Sequence, residues 1–100
     1  MTNEEAYVLM FIPIGKENAI ARSVLCASAG YGDRKIREII EALRSDGYLI
    51  CNLSDGKGYF LAANKEEANR YYWQEKNRLK SRYKSLKPFR DYLKAAGMEV

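Results

Sequence analysis

The chain has no histidine, which removes the commonest general base and the commonest zinc ligand together. Its two cysteines, Cys26 and Cys51, stand far apart among apolar neighbours. They are too few for a structural zinc site or for the disulfide framework of a small secreted domain. They read as reduced core thiols, with a disulfide or redox switch as the alternative. Gly30, Gly32, Gly56 and Gly58 lack the Gly-Lys-Ser/Thr that completes a phosphate loop. No apolar run approaches the ~20 residues of a membrane span. The best candidate, Tyr7 to Ile14, contains Pro13 and follows Glu4 and Glu5, where a secretory signal carries basic residues. Glu38 and Glu41 read as a solvated face rather than an acid–base pair. These absences predict a cytoplasmic protein with no membrane partner, no metal, no cofactor and no enzyme activity.

What is present is globular: 47% hydrophobic and 30% charged residues in a chain of 100, enough for one core. The net charge of +4 is unevenly placed. Residues 1–63 hold seven Lys/Arg against eight Asp/Glu, whereas residues 64–100 hold ten against five. Excess positive charge in one third of a chain suggests a polyanion as its neighbour, unless that third is merely a solubilised helix.

Local signals divide the chain into short elements. Thr2-Asn3-Glu4-Glu5 matches a capping box, predicting a helix from about residue 3 to Phe11 or Ile12, where Pro13 stops it. Gly15-Lys16-Glu17-Asn18 is a turn, and Ala19-Ile20 a short strand. One helix is expected over Arg22–Ala29. A second starts with Asp33 as its N-cap and runs to about Ser45, where Ile36, Ile39, Ile40 and Leu43 form a stripe at helical spacing. Gly47 ends it. Strand formers at Tyr48–Leu53, the turn Ser54-Asp55-Gly56-Lys57, and Gly58–Ala62 predict a hairpin. Tyr59 and Phe60 alternate along its second strand, so one of them belongs to the core. Asn64 caps a long helix reaching about Lys84, and a last helix covers about Lys87 to Ala96 with Pro88 in its first turn.

Residues Arg22 to Leu43 carry the strongest functional signal. A small Cys26 where two helices approach, Gly30 at the bend, and apolar Leu25, Ala29, Tyr31, Ile36 and Ile39 on the inner surfaces match a helix-turn-helix. With the hairpin that follows, the run Gly32-Asp33-Arg34-Lys35-Ile36-Arg37-Glu38-Ile39-Ile40-Glu41-Ala42-Leu43-Arg44-Ser45-Asp46-Gly47-Tyr48 resembles winged-helix modules of bacterial and bacteriophage regulators and replication proteins. The resemblance covers about residues 3–63. It departs from the pattern at Ala21, where such modules place a Ser or Thr cap. It implies an α+β, mostly helical fold in two parts. Residues 1–63 would form a winged helix-turn-helix of three core helices and a β-hairpin wing. Residues 64–100 would add a long helix and a short final one packed on it.

The same resemblance implies a protein that binds double-stranded DNA, as a small transcriptional regulator or replication accessory. Its second helix would enter the major groove. The expected contacts are Arg22, Tyr31, Asp33, Arg34, Lys35, Arg37 and Glu38, with Ser54 and Lys57 on the wing. Arginine suits guanine edges and the flanking cations suit phosphates. Arg34 is equally placed to pair with Glu38 on the helix surface, and Lys57 to be an ordinary turn lysine. In the C-terminal third, Ala68, Tyr72, Leu79, Tyr83 and Leu86 share a face. Tyr71, Tyr72, Trp73, Leu79, Tyr83, Leu86 and Phe89 are therefore expected to meet a second copy of the chain or a protein partner. Arg70, Lys76, Arg78, Lys80, Arg82, Lys84 and Lys87 lie off that face. The alternative function is a winged-helix docking module, such as a phage-encoded inhibitor of a host protein or nucleoprotein complex.

Overall fold

The periodic aliphatic stripe of the second predicted helix organises the molecule. The computed structural model describes residues 1–100 and contains five α-helices and one antiparallel hairpin. These are α1 (Asn3–Leu9), α2 (Arg22–Ala29), α3 (Asp33–Ser45), β1 (Ile50–Asn52), β2 (Tyr59–Leu61), α4 (Lys65–Ser85) and α5 (Lys87–Ala95). Ile36, Ile39, Ile40 and Leu43 of α3 are all buried, against Val8 and Ile12, Leu25 and Ala29 of α2, and Ile50 and Tyr59 of the hairpin. Full burial of an aliphatic side chain is worth about 1.5–3 kcal/mol, so this one stripe is the largest apolar contribution any helix makes.

Between α2 and α3 the chain turns at Gly30, whose φ of +76° is open to glycine without a side-chain clash. The amides of Gly30 and Tyr31 both donate to the carbonyl of Cys26, closing the C-terminus of α2. Both helices have the predicted limits, but Asp33 is not the cap of α3. Gly32 holds the N-cap position, and Asp33 is the first helical residue. Helix α1 ends at Leu9, earlier than expected. Phe11 and Ile12 donate to Val8 and Leu9, three residues back, so the chain tightens out of the α-helix before Pro13.

The hairpin pairs Ile50 with Leu61, Cys51 with Phe60 and Asn52 with Tyr59. Its second strand has a further partner on the other edge. Ile20 and Tyr59 exchange both backbone hydrogen bonds (2.9 and 2.8 Å), and Leu61 bonds to Pro13 and Gly15 on either side of Ile14. A 3-10 turn at Lys16–Asn18 carries the chain between those two contacts. This approach is close enough to require glycine at position 58. Its φ is +139°, and a β-carbon there would lie 2.0 Å from the carbonyl oxygen of Ile20.

Tyr59 and Phe60 are both buried, although alternation placed only one of them inside. Tyr59 faces the main core. Phe60 joins Cys51 and Leu53 in a second cluster on the opposite face of the hairpin. That face is covered because α4 crosses it, bringing Tyr71 against the cluster. Gln74 fixes the crossing: its Nε2 donates to the carbonyl of Asn52 (3.0 Å), and its Oε1 accepts from the amide of Ser54 (2.8 Å).

Every buried side chain lies between Val8 and Phe60, and neither α4 nor α5 buries a residue. Past Gln74 the chain becomes an arm. It gives the molecule a 51 Å long axis and a radius of gyration of 17.2 Å, against about 13 Å for a compact chain of this length. No helix is long and apolar enough to cross a membrane.

Candidate nucleic-acid interface

Helix α3 presents Arg34, Glu38, Glu41 and Ser45 to solvent because its stripe fixes the opposite face inward. Each cation on or beside this helix has an acidic partner. Arg34 Nε lies 3.2 Å from Glu38 Oε1, one turn on, with the Arg34 side chain 95% exposed. Lys35 Nζ lies 2.7 Å from Glu4 of α1 and 4.6 Å from the centre of the Tyr31 ring. The hydrogen bond to Glu4 is the main reason its pKa rises. Asp33 holds two arginines, Arg22 through Oδ1 (2.5 Å) and Arg37 through Oδ2 (3.2 Å). The hydroxyl of Tyr59 on β2 favours the charged form of Arg22 most, and Asp33 adds to it. Through Asp33, the Arg22 guanidinium ties the start of α2 to the start of α3. Arg44 pairs with Glu41 (2.8 Å), donates to the carbonyl of Ile50 (2.9 Å) and stacks 4.9 Å above Tyr71.

Of the residues expected to contact DNA, Arg22, Asp33 and Arg37 are one ion-paired unit at the start of α3. Arg34 and Glu38 are a second such unit, on its outer face. Tyr31 is half-buried and packs against the main core, with the Tyr7 ring 6.4 Å away, so it supports the turn more than it faces solvent. At the hairpin tip Lys57 is exposed and has no ion pair, whereas Asp55 beside it bonds to Arg70 and lies 3.5 Å from Lys16. The Arg70 bond is the chief cause of the lowered Asp55 pKa. Ser54 is exposed, with its amide spent on Gln74.

The partner-facing group divides. Tyr71 is turned inward, its hydroxyl pKa pushed up to about 12 chiefly by burial, and it serves the internal packing of α4. Tyr72, Trp73, Leu79, Tyr83, Leu86 and Phe89 are all exposed, with Tyr72 and Trp73 edge-to-face at 5.3 Å. Tyr92 on α5 is exposed as well and extends the same apolar character. Its place three residues after Phe89 on the same helix was the available signal. An apolar groove of 470 Å³ runs between α4, the end of α3 and β1, lined by Tyr48, Leu49, Tyr72 and Leu79 among others. Both thiols are free, Cys51 buried with its pKa raised by that burial, and Cys26 half-buried rather than in the core proper. No cluster of Cys, Asp and Glu is arranged to hold a metal ion.

Comparison with protein-family models, curated proteins and solved structures found no match.

Proposed function

We propose that residues 1–63 form a winged helix-turn-helix and that the chain binds double-stranded DNA, with α3 in the major groove and the hairpin tip beside it. The observation that carries this reading is the pairing of Ile20 with Tyr59 ahead of α2, taken with the bend at Gly30 that follows it. It gives the chain the order helix, strand contact, helix, helix, hairpin, and it holds the segment that leads into α2 along the edge of β2 through two backbone hydrogen bonds. Arg34 is the side chain best placed for a base edge, since almost all of it is exposed and its only partner is Glu38. An exposed i, i+4 ion pair is worth about 0.3–0.5 kcal/mol, which a guanine contact worth about 1–3 kcal/mol overcomes. The exposed apolar side chains of the arm are the surface we assign to a second copy, which would place two α3 helices on successive turns of a duplex.

Fluorescence anisotropy with labelled duplex DNA tests this. Binding at low salt is expected at a stoichiometry of two chains per site. Arg34→Ala should reduce discrimination between a selected site and random duplex by about tenfold, equivalent to about 1.4 kcal/mol. A protein-docking role has one observation in its favour: the exposed cations of α3 are neutralised by neighbouring acids. Absence of duplex binding at low salt, with a protein partner captured through Trp73, would replace the DNA reading with that one.

A further inference from the structure

The cations of this molecule fall into two populations. On α3, Arg34, Lys35, Arg37 and Arg44 all carry an acidic partner, one of them borrowed from α1. Between residues 74 and 86 there are five cations, Lys76, Arg78, Lys80, Arg82 and Lys84, and one acid, Glu75. Only Arg78 is paired, with Glu75 at 3.1 Å. Lys76 leans on the Tyr72 ring at 5.7 Å, and Lys80, Arg82 and Lys84 have no acid within reach.

Helical spacing divides them: Arg78 and Arg82 share one face of α4, and Lys76, Lys80 and Lys84 lie away from it. Because Gln74 grips the hairpin at Asn52 and Ser54, the next turns of α4 leave the hairpin tip at a fixed point. A shallow groove opens there, lined by Ser54, Gln74, Asn77, Arg78, Ser81 and Arg82, with Leu79 its one apolar residue and Glu75 its one acid. The polar lining is Ser, Asn, Gln and Arg, the side-chain types that bind phosphate and sugar oxygens irrespective of base. Lys57, unpaired at the same hairpin tip, adds a cation outside the groove.

We infer that this groove binds the phosphate backbone of duplex DNA, and that the arm rather than α3 supplies most of the electrostatic attraction. The inference rests on the DNA-binding reading and divides its labour: α3 contributes base discrimination, and the arm contributes charge. The physical reason is the desolvation and rupture each contact demands. Arg82, which has no acidic partner, exchanges condensed counterions for a phosphate, and the released ions drive the association; Arg78 gives up only the exposed pair with Glu75 beside it. A cation on α3 must first leave its carboxylate, which then stands as an uncompensated negative charge near the backbone.

The salt dependence of binding to random duplex separates the two populations. Each lost phosphate contact reduces the slope of log affinity against log salt by about 0.9. Arg78→Ala/Arg82→Ala should lower that slope by between one and two units, and Lys80→Ala/Lys84→Ala, outside the groove, by less than one. Arg34→Ala should leave it within half a unit. All of these side chains are exposed, so circular dichroism melts should match the wild type, and Arg78→Lys/Arg82→Lys should restore the slope. If the wild type shows a steep slope that the arm variants preserve while Arg34 and Lys35 variants reduce it, the inference is overturned and DNA binding stands. If the wild type binds no duplex at low salt, the DNA reading and the inference fall together.

Discussion

Residues 1–63 and 64–100 are built on opposite terms. The first part encloses every buried side chain and pairs each of its cations except Lys57 with an acid. The second encloses nothing, exposes Leu79, Tyr83, Leu86, Phe89 and Tyr92, and leaves most of its cations without partners. The first part owes its stability to its own packing. The second borrows what order it has from Gln74, Tyr71 and Arg70 at its root. A nine-residue helix such as α5 is marginal in water unless an apolar face is covered. Stability is thus concentrated in one part of the chain, and unsatisfied apolar and electrostatic surface in the other.

Two phenylalanines test that contrast directly. Phe60 is 0% exposed between Cys51, Leu53 and Tyr71, and Phe89 is 68% exposed on α5. Phe60→Ala should cost about 3–5 kcal/mol. For a domain of this size that lowers the melting temperature by at least about 12 °C. Phe89→Ala should stay within about 0.5 kcal/mol in dilute solution. A Phe89→Ala loss that appears only as protein concentration rises would show that a second copy covers the arm. Equal losses at every concentration would show that α5 folds back onto the core, and the contrast between the two parts would disappear.

The next largest effect belongs to Gly58. Alanine there must adopt a φ near +139° and also displace the carbonyl of Ile20, which its β-carbon would approach to 2.0 Å. Backbone strain of this type costs about 1–3 kcal/mol before any displacement is counted. Denaturant melts of Gly58→Ala should show a loss of about 3 kcal/mol, with amide protection at Ile20 and Tyr59 lost first. A stable variant that keeps protection at both amides would mean the edge contact of Ile20 is dispensable.

These two sites also mark what the sequence made legible. The limits of α2 and α3 could be read because a regular stripe and a glycine bend are local signals, and so could the hairpin, from its Asp-Gly turn. Phe60 was half legible. Alternation identifies two faces, but only the passage of α4 over the outer one buries both residues. Gly58 read as the first residue of a strand, because its clash is with Ile20, nearly forty positions earlier. The state of the α3 cations was the least legible part of the candidate site. Arg34 with Glu38 follows from helical spacing, but Lys35 with Glu4 and Arg22 with Asp33 exist only once three helices are packed. Sequence spacing similarly grouped Tyr71 with the exposed aromatics of α4, although the angle at which that helix crosses the hairpin turns it inward.

The smallest expected effect lies at the seam between the two parts, and acid reveals it. Asn64 caps α4 by accepting from the amide of Glu67, as its sequence signature suggests, but the Glu67 carboxylate does not return to the Asn64 amide to close a capping box. It accepts from the amide of Ala63 (2.9 Å) and from that of Lys16 (3.1 Å), joining the root of α4 to the 3-10 turn. The Ala63 bond is the first cause, and the Lys16 bond the second, that lowers its pKa below the ordinary 4.5. A carboxylate whose folded pKa lies below its unfolded one stabilises the fold fully above the unfolded value. That stabilisation disappears as pH falls through the folded value. The wild type should therefore melt at a lower temperature at about pH 3 than at about pH 7, and part of that difference should vanish in Glu67→Gln. Glutamine offers one acceptor oxygen where Glu67 uses two, so the variant should already lack one of the two bonds at about pH 7 and change less on acidification. An unchanged difference between the two pH values would show that Glu67 does not hold α4 to the turn. The arm would then be anchored by Gln74 and Arg70 alone.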